Sequence, residues 1–236
     1  MSSTTGGVEE LRTRSPLSVT ATVRGSEALE PVAPAAVVSV WLMVKPAIPA
    51  NTVAEFVAHA RANAGKLNYG SPGTGSSPHL AGEMFNGAAK VKTTHVPYKG
   101  AAPVITDLLG GQIDYTFDPG IGLQHARSGK LRLLAVGSPK RHPAYPEVPT
   151  VAEAVGGEFD ADTVFGLYVP AGTPRSVIAL LNREINGVLQ SDAMKARLAA
   201  IAAQSLILTP EAFAARTQAE YQRMGALIRD TGLSAR

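Results

Sequence analysis

Cysteine is absent from this chain of 236 residues. Its absence excludes a disulfide framework, a thiol nucleophile and a metal site built on cysteine. Charged residues are also few, at 17% of the sequence, and the formal net charge is only +3. Because the lysines and arginines are scattered, we expect no basic surface for nucleic acid. The cluster Lys140-Arg141-His142 lies among prolines and is predicted to be a solvated loop.

Long apolar runs are missing as well. The longest extends from Ala35 to Val44 and is interrupted by Ser39. It is shorter than the roughly 18 residues of a membrane-spanning helix, so we interpret it as buried strand. Residues 1–7 have neither a basic segment nor an apolar one, so the sequence as written is expected to carry no secretion signal.

Strand and helix signals alternate from Val40 to about Asp162, which predicts a mostly parallel α/β sheet covered on both faces. Capping boxes of the form S/T-x-x-E mark helix starts at Thr52 and Thr150. A weak strand is predicted at Ser18–Arg24. The other predicted strands are Pro31–Val44 (one or two strands), Lys66–Gly70, Thr93–Val96, Ile113–Phe117, Leu131–Val136 and Val164–Val169.

The C-terminal part of the chain is predicted to be mostly helical. One helix is expected to begin at Pro174 with Thr173 as its N-cap, another is capped by Ser191, and Thr209-Pro210 opens the last. Apolar residues recur at helical spacing in the first of these helices. They are expected to form its buried side: Val177, Ile178, Leu181, Ile185, Val188 and Leu189.

The segment from Tyr69 to Glu83 is the most informative for function. It is predicted to leave a strand, cross a glycine-rich loop and start a helix near Pro78. Glycines allow a sharp turn that points backbone N–H groups into one concavity, and the positive end of the helix faces the same loop. We interpret the loop as a cradle for a carboxylate, with the candidate residues Ser71, Gly73, Thr74, Gly75, Ser76 and Ser77.

The same loop allows other interpretations. Its glycines could serve the turn alone. A phosphate-binding P-loop is excluded because the required lysine is absent, and the glycine spacing does not fit a dinucleotide site. A serine hydrolase would use Ser76 or Ser77 with His79 or His95 as base and Asp118 as orienter. A histidine two or three residues from the serine at one helix start reaches the hydroxyl poorly, so we do not expect an enzyme.

Further candidate residues follow the predicted strands, where α/β sheets bind ligands. Lys99 could supply a positive charge and Tyr98 a hydroxyl, or both could be loop surface. Asp118 would repel a carboxylate, so a role through water or through a hydroxyl or amine of the ligand is favoured. His79 either caps the helix or touches ligand, and His95 is interpreted as a core histidine. No metal or cofactor is expected.

Taken together, these segments resemble the solute-binding proteins of tripartite tricarboxylate transporters, the Bug family. The resemblance runs from about Leu29 to the C-terminus. It rests on nine segments, several of them long and ungapped: Tyr69–Ser76, His79–Glu83, His95–Gly100, Asp107–Asp114, Phe117-Asp118, Gly129–Arg132, Pro146–Glu153, Phe165–Leu167 and Gly172–Pro174.

The resemblance implies a type II periplasmic binding protein with two α/β lobes and the ligand between them. Such a receptor holds a carboxylate with the loop matching Ser71–Ser77 and with a second, proline- and glycine-rich loop of the first lobe. That second loop is not found in this chain, and residues 1 to about 28 are expected to match no part of the family. Residues 1–40 and 163–236 are therefore predicted to be a remnant of the first lobe, and residues 41–162 a complete second lobe.

The function implied by the resemblance is non-catalytic binding of a small organic acid, with membrane permease subunits as partners. The implied location is the periplasm, or the cytoplasm if the chain is used as written. Alternatives are a truncated, non-binding remnant and the sensing domain of a regulator, for which residues 1–40 are too short to add a DNA-binding unit. With one of two loops missing, we expect millimolar affinity at best, and apolar exposure or a compensating dimer along the helix from Pro174.

Overall fold

The computed structural model describes residues 29–231, so the strand predicted at Ser18–Arg24 lies outside the described residues. It contains two sheets. The strands are β1 (Leu29–Val38), β2 (Trp41–Val44), β3 (Asn68–Ser71), β4 (Thr94–Pro97), β5 (Tyr115–Asp118), β6 (Arg132–Val136), β7 (Thr163–Pro170) and β8 (Ala203–Gln204). The helices are α1 (Val53–Ala62), α2 (Ser77–Ala89), α3 (Ala101–Leu109), α4 (Leu123–Arg127), α5 (Val151–Val155), α6 (Arg175–Gln190), α7 (Asp192–Ala200) and α8 (Pro210–Thr231).

The larger sheet has the strand order β4-β3-β5-β2-β6, and the smaller has the order β7-β1-β8. Strand β3 pairs in parallel with β4 and β5, whereas β2 pairs antiparallel with β5 and β6. Strands β3 to β6 therefore run in one direction, and their carboxyl ends meet at one edge. This confirms that Lys66–Gly70, Thr93–Val96 and Ile113–Phe117 contribute to one mostly parallel sheet. The assignment of whole segments to two lobes stays a prediction.

Side chains cover both faces of the larger sheet. All four residues of β2 are buried, and they alternate between two clusters because successive strand residues point to opposite faces. Leu42 packs with aromatic residues of α1 and α2, including Phe56 and Phe85. Trp41 packs on the other face with α3 residues such as Leu108. A continuous apolar run in the sequence is thus explained by burial on two sides.

Local capping interactions fix two of the helix starts that the sequence predicts. Thr150 and Glu153 form a complete capping box at the start of α5. At α1, the Thr52 hydroxyl accepts from the Glu55 N–H at 3.1 Å. The Glu55 carboxylate accepts from the Asn51 N–H at 2.6 Å, one residue before the position a capping box uses.

Helix α6 corrects two predictions. It begins at Arg175 rather than Pro174, and the Thr173 hydroxyl donates to the Pro170 carbonyl at 2.7 Å instead of capping the helix. Its predicted buried side is only partly buried: Ile178 and Leu189 are enclosed, whereas Val177, Leu181 and Val188 are 41%, 36% and 54% exposed. The reason is that only a narrow part of the helix packs on β1 and α7. The expected apolar exposure along this helix is therefore confirmed.

His142 corrects the prediction of a solvated loop at residues 140–142. Lys140 and Arg141 are exposed, but His142 is buried, with its ring 5.2 Å from the Trp41 ring. Burial in this apolar setting lowers the pKa of His142. The segment leaves the sheet edge and folds back over the face that Trp41 occupies, which a local reading of the sequence does not show.

Candidate functional site

The predicted cradle is a loop of residues 72–76 between β3 and α2. It follows a buried strand in which Gly70 leaves room for the Ile113 side chain, because a Cβ at this position would lie 2.5 Å from Ile113 Cδ1. Gly73 and Gly75 have φ values of 144° and 80°, which residues with a Cβ rarely adopt. Ser76 is the N-cap residue of α2, and Pro78 lies in the first turn. The predicted strand–loop–helix arrangement is therefore present.

Hydrogen bonds inside the loop change which groups are free for a ligand. The Gly75 N–H donates to His79 Nδ1 at 2.9 Å, and the Gly73 N–H donates to the Ser71 hydroxyl at 3.2 Å. The Ser76 hydroxyl donates to the Gly73 carbonyl at 2.7 Å. The expectation that the glycine N–H groups point into an open concavity is thus wrong for this conformation, because these groups bond within the loop.

The donors that remain lie at the start of α2. Among the described residues 29–231, the backbone N–H groups of Thr74, Ser77 and His79 have no hydrogen-bond acceptor in the protein. Unpaired N–H groups in the first turn, together with the positive end of a 13-residue helix, attract an anion. Thr74 is exposed and Ser77 is half-buried, so both are accessible from solvent.

Ser71 and His79 lie behind the loop rather than on its surface. Both are buried, and Ser71 Oγ lies 2.7 Å from His95 Nε2. The rings of His79 and His95 stack with centroids 3.8 Å apart, next to Tyr69. We therefore correct the predicted ligand contacts of Ser71 and His79: in this structure both side chains support the loop.

Burial keeps the two stacked histidines neutral. Desolvation, with a smaller contribution from the nearby His79, lowers the pKa of His95 from 6.5 to about 4. The pKa of His79 is also lowered by desolvation, against the opposing effect of Glu83. Because His79 Nδ1 accepts from Gly75, its neutral ring carries the proton on Nε2. His95 is therefore hydrogen-bonded but only half-buried, on strand β4 at the end of the sheet, so the prediction of a core histidine is not confirmed.

The β4–α3 loop is attached directly to the cradle. The Tyr98 N–H donates to the Ser71 carbonyl at 2.9 Å, and the Gly100 N–H donates to the Pro72 carbonyl at 3.2 Å. The Tyr98 hydroxyl donates to Asp107 at 2.8 Å, and burial together with Asp107 raises the pKa of Tyr98 to about 12. That hydroxyl is therefore engaged within the protein, whereas Lys99 is exposed.

Asp118 ends β5 at the same edge of the sheet, but its carboxylate faces inward. It is buried and accepts from the N–H groups of Gly120 and Gly122 at 2.7 and 2.8 Å. Desolvation raises the pKa of Asp118, and the two backbone hydrogen bonds oppose that rise. The proposed contact with a ligand is corrected accordingly, because Asp118 organises the turn that follows its own strand.

A cavity of about 600 Å³ opens beside the start of α2. Ser77 is the predicted site residue that lines it; the opposite wall comes from the start of β7 and from α8. Sequence reasoning missed the polar residues of that wall, Asp162, Arg216 and Glu220. A signal existed, since Phe213, Arg216, Thr217 and Glu220 recur at helical spacing on α8.

Catalytic and metal chemistry find little support in this arrangement. In the hydrogen-bonded pair of Ser71 and His95, His95 is half-buried, but Ser71 has no exposed surface for a substrate to reach. In the part of the chain that the structure describes, no three His, Asp or Glu side chains are grouped to hold a metal ion. Nor does any helix between residues 29 and 231 have the length and apolar character to cross a membrane.

Comparison with known proteins identifies the family. The sequence profile described as "Tripartite tricarboxylate transporter family receptor" matches residues 5–233. The chain belongs to this family. The match begins upstream of Leu29, which corrects the expectation that residues 1 to about 28 match no part of it. The family comprises transporter receptors and not enzymes.

Two curated relatives of the family show how much of a full-length member is present. The protein BugT of Bordetella pertussis (strain Tohama I) is 36% identical over 208 residues, which are 87% of this chain and 64% of BugT. A protein encoded in the tcbD-tcbE intergenic region of Pseudomonas sp. (strain P51) is 37% identical over 185 residues, 78% of this chain and 55% of the relative. The chain thus spans less than two thirds of these relatives' length.

Solved structures of the family show the same fold. The R. palustris protein Rpa4515 with adipate has a TM-score of 0.78 and 31% identity, with 88% of this chain and 70% of that chain covered. MatC from Rhodopseudomonas palustris with bound malate has a TM-score of 0.72 and 28% identity, with coverage of 85% and 69%. The periplasmic binding protein BugD has a TM-score of 0.75. This family member therefore has the two-lobed type II periplasmic-binding-protein fold, with the first lobe incomplete in these 236 residues.

Proposed function

We propose that this chain is the ligand-binding part of an extracytoplasmic receptor that binds a small organic carboxylate for a tripartite tricarboxylate-type transporter. The observation that carries the proposal is the start of α2, where unpaired N–H groups lie beside a cavity of ligand size. Family membership and the titles of the adipate- and malate-bound structures support a carboxylate as ligand. Residues Gly73, Thr74, Gly75, Ser76 and Ser77 form the proposed contact loop.

The same proposal includes the periplasm as location and membrane permease subunits as partners, since the family is described by its transporter. It also includes the division into a second lobe at residues 41–162 and parts of a first lobe on either side. Lys99 is exposed beside the loop. Its positive charge would attract the bound carboxylate while the lysine side chain itself stays in solvent.

Calorimetric titration of the chain with di- and tricarboxylates, acidic amino acids and aromatic acids tests the proposal. We expect at least one acid to bind in the millimolar range, because a carboxylate held by one loop lacks the donors of the other. Each lost hydrogen bond to a charged group costs about 1.5–3 kcal/mol, or about ten- to a hundredfold in affinity. Failure of every acid to bind would favour the alternative, a non-binding remnant.

A matched pair of glycine variants shows whether the loop is the site. Gly75→Val forces a side chain onto a backbone with φ of 80°, so we expect it to abolish the remaining binding. Gly111→Val imposes similar strain at φ of 75° on an exposed turn distant from the loop, with no neighbouring atoms to meet a new Cβ. Equal binding by both variants, each shown to be folded by circular dichroism, would argue against the loop as the site.

A further inference from the structure

Two hydrogen bonds hold N–H groups of the proposed contact loop inward, and both lead to the stacked pair of His79 and His95. The Gly75 N–H donates directly to His79 Nδ1 at 2.9 Å. The Gly73 N–H donates to the Ser71 hydroxyl, which lies 2.7 Å from His95 Nε2. The conformation of the loop therefore depends on two imidazole rings, whose charge ordinarily changes at about pH 6.5.

The hydrogen bond from Gly75 exists only while His79 is neutral. Because His79 Nδ1 accepts from the loop, that nitrogen carries no proton of its own. A proton on Nδ1 would place an N–H donor against the Gly75 N–H donor at the same 2.9 Å, and two donors repel each other. The loop contains glycine at positions 73 and 75, so its backbone can change conformation at little cost. Protonation of His79 therefore ends this contact.

The stacked pair accepts one proton more readily than two. Its ring centroids are 3.8 Å apart, so the first positive charge opposes a second. Desolvation lowers the pKa of His79, but the Glu83 carboxylate acts against that shift. At His95, desolvation and the neighbouring His79 act in the same direction and lower the pKa to about 4. The first proton therefore goes to His79.

Few other charges act on the stacked pair in the part of the chain that the structure describes. Tyr69 of β3 lies against both rings, and burial raises the pKa of its hydroxyl, which donates to the Glu83 carboxylate. Tyr115 of β5 stacks on Tyr69, and burial raises its pKa too. Arg216 and Glu220 of α8 line the cavity beside α2 but do not act on the pKa of either histidine. The charge of the pair is therefore controlled mainly by burial and by Glu83.

We propose that His79 is a pH-dependent switch of the loop: the neutral ring holds the Gly75 N–H inward, and uptake of one proton at Nδ1 releases that N–H for a ligand. The consequence for binding rests on the proposed receptor function. A released N–H group and an imidazolium both favour an anion, so one proton and one carboxylate bind together. While His79 titrates, the affinity for an acid then increases as the pH falls, by up to about tenfold per pH unit for one linked proton.

Nuclear magnetic resonance of the free chain tests the switch without any ligand. The nitrogen signals of the His79 ring and the amide signal of Gly75 are followed from pH 7.5 to pH 4.5, with circular dichroism to show that the chain stays folded. We expect both to change with one common midpoint, below the ordinary value of 6.5. In His79→Gln the Gly75 amide should no longer respond, because glutamine offers an oxygen acceptor that does not titrate. The control His59→Gln changes a histidine of α1, outside the stacked pair, and should leave the Gly75 curve unchanged.

The unmodified chain alone can overturn the inference. A Gly75 amide that does not follow the titration of His79 would do so, and so would a His79 ring that stays neutral until the chain unfolds. His95→Gln retains the hydrogen bond between Gly75 and His79 and should keep the common midpoint. This second variant decides the matter if His79→Gln does not fold.

Calorimetric titration with succinate at pH 7 and pH 6 measures the consequence for binding. We expect the unmodified chain to bind succinate up to about tenfold more tightly at pH 6, and His79→Gln to show a smaller change. The same change in both proteins would overturn the inference that proton and ligand bind together. If succinate binds at neither pH, the result counts against the proposed function, and the resonance curves of the free chain still decide the switch.

Discussion

Two glycines of helix α2 have opposite environments although they are five residues apart. An added Cβ at Gly82 would lie 2.3 Å from Cε2 of the buried Tyr69 ring. The hydroxyl of that tyrosine donates a hydrogen bond to Glu83. At Gly87 an added Cβ meets nothing within 4 Å. At Gly82, the absence of a side chain therefore allows α2 to approach β3 closely, whereas Gly87 serves no such packing.

The pair yields a prediction about stability. Gly82→Ala should lower the free energy of unfolding by about 1–3 kcal/mol, because the buried Tyr69 ring must shift. Gly87→Ala should raise it by up to about 1 kcal/mol through the higher helix propensity of alanine. Urea denaturation of both variants measures the difference. A stabilising Gly82→Ala would contradict the close packing of α2 on β3.

The stacked histidines predict a dependence of stability on pH. Unfolded His95 takes up a proton near its ordinary pKa of 6.5, whereas folded His95 resists protonation down to about 4. Between these values the unfolded state binds more protons, so stability falls as the pH falls. After allowance for the partial exposure of His95, we expect its contribution to the free energy of unfolding to fall by about 1 kcal/mol between pH 7 and pH 5.

His95→Gln isolates this effect from other titrating groups. Glutamine keeps a donor for the Ser71 hydroxyl but does not titrate, so the variant should lose less stability than the unmodified chain on going to pH 5. Chemical denaturation at the two pH values measures the difference. Identical pH dependence of the two proteins would show that His95 is not held neutral.

The site could be predicted from sequence only as far as its local part. Three glycines, a cluster of hydroxyl residues and Pro78 were enough to predict the loop, because turn and helix-start chemistry is local. The roles of Ser71 and His79 depend on which neighbours surround the loop, such as His95 from the adjacent strand. Arg216 was missed because it reaches the cavity from a helix more than 130 residues away in the chain.

Helix α6 shows at the scale of an element why periodicity overstates burial. Its apolar residues recur at helical spacing, but the elements that pack on it in this chain cover only Ile178, Leu189 and part of Ile185. Among the described strands, neighbouring β7 lies at the edge of its sheet, with exposed Phe165 and Leu167. Amphipathic spacing therefore identified the helix correctly, whereas the width of its buried side depends on what lies beside it.

Two substitutions on α6 test how narrow the packed side is. Ile178→Ala should cost about 2–5 kcal/mol, since it removes buried methyl groups against Val32 and Ala33. Val188→Lys, at a position 54% exposed, should change stability by no more than about 0.5 kcal/mol. Thermal and urea unfolding at two protein concentrations measure both. A large, concentration-dependent loss for Val188→Lys would show that this side is covered by another copy in solution.

At the scale of the whole molecule, the two sheets are joined where the chain crosses between them. It passes from β1 to β2 at Ser39 and Val40 and returns to β7 after Asp162. The Ser138 hydroxyl lies 2.8 Å from the Ser39 hydroxyl and donates to Asp162 at 2.5 Å. The buried Ser138 hydroxyl at the carboxyl edge of the larger sheet therefore contacts both crossings, and the Ser39 hydroxyl also lowers the pKa of Asp162 through a hydrogen bond. This junction lies next to the proposed ligand cavity that Asp162 lines.

Removing that hydroxyl should weaken the junction in a way that depends on pH. Ser138→Ala leaves the buried Asp162 carboxylate with one donor fewer, which costs about 1–3 kcal/mol at pH 7. The lost hydrogen bond had opposed the upward pKa shift, so the pKa of Asp162 rises further in the variant. The folded variant then binds protons more readily than the unfolded chain as the pH falls, and the stability difference from the unmodified chain shrinks.

Fluorescence of Trp41, the only tryptophan and a buried residue of β2, measures this in urea at pH 7 and at a pH near 4. Ser176→Ala is the control, because Ser176 is an exposed residue in the first turn of α6 and should change stability by no more than about 0.5 kcal/mol. A loss for Ser138→Ala no larger than that of the control would show that the hydroxyl does not hold the crossings together. If the loss of stability in Ser138→Ala is the same at both pH values, the lost contact with Ser39 would be its cause instead. The reason is that only the Asp162 carboxylate of this junction titrates in that range.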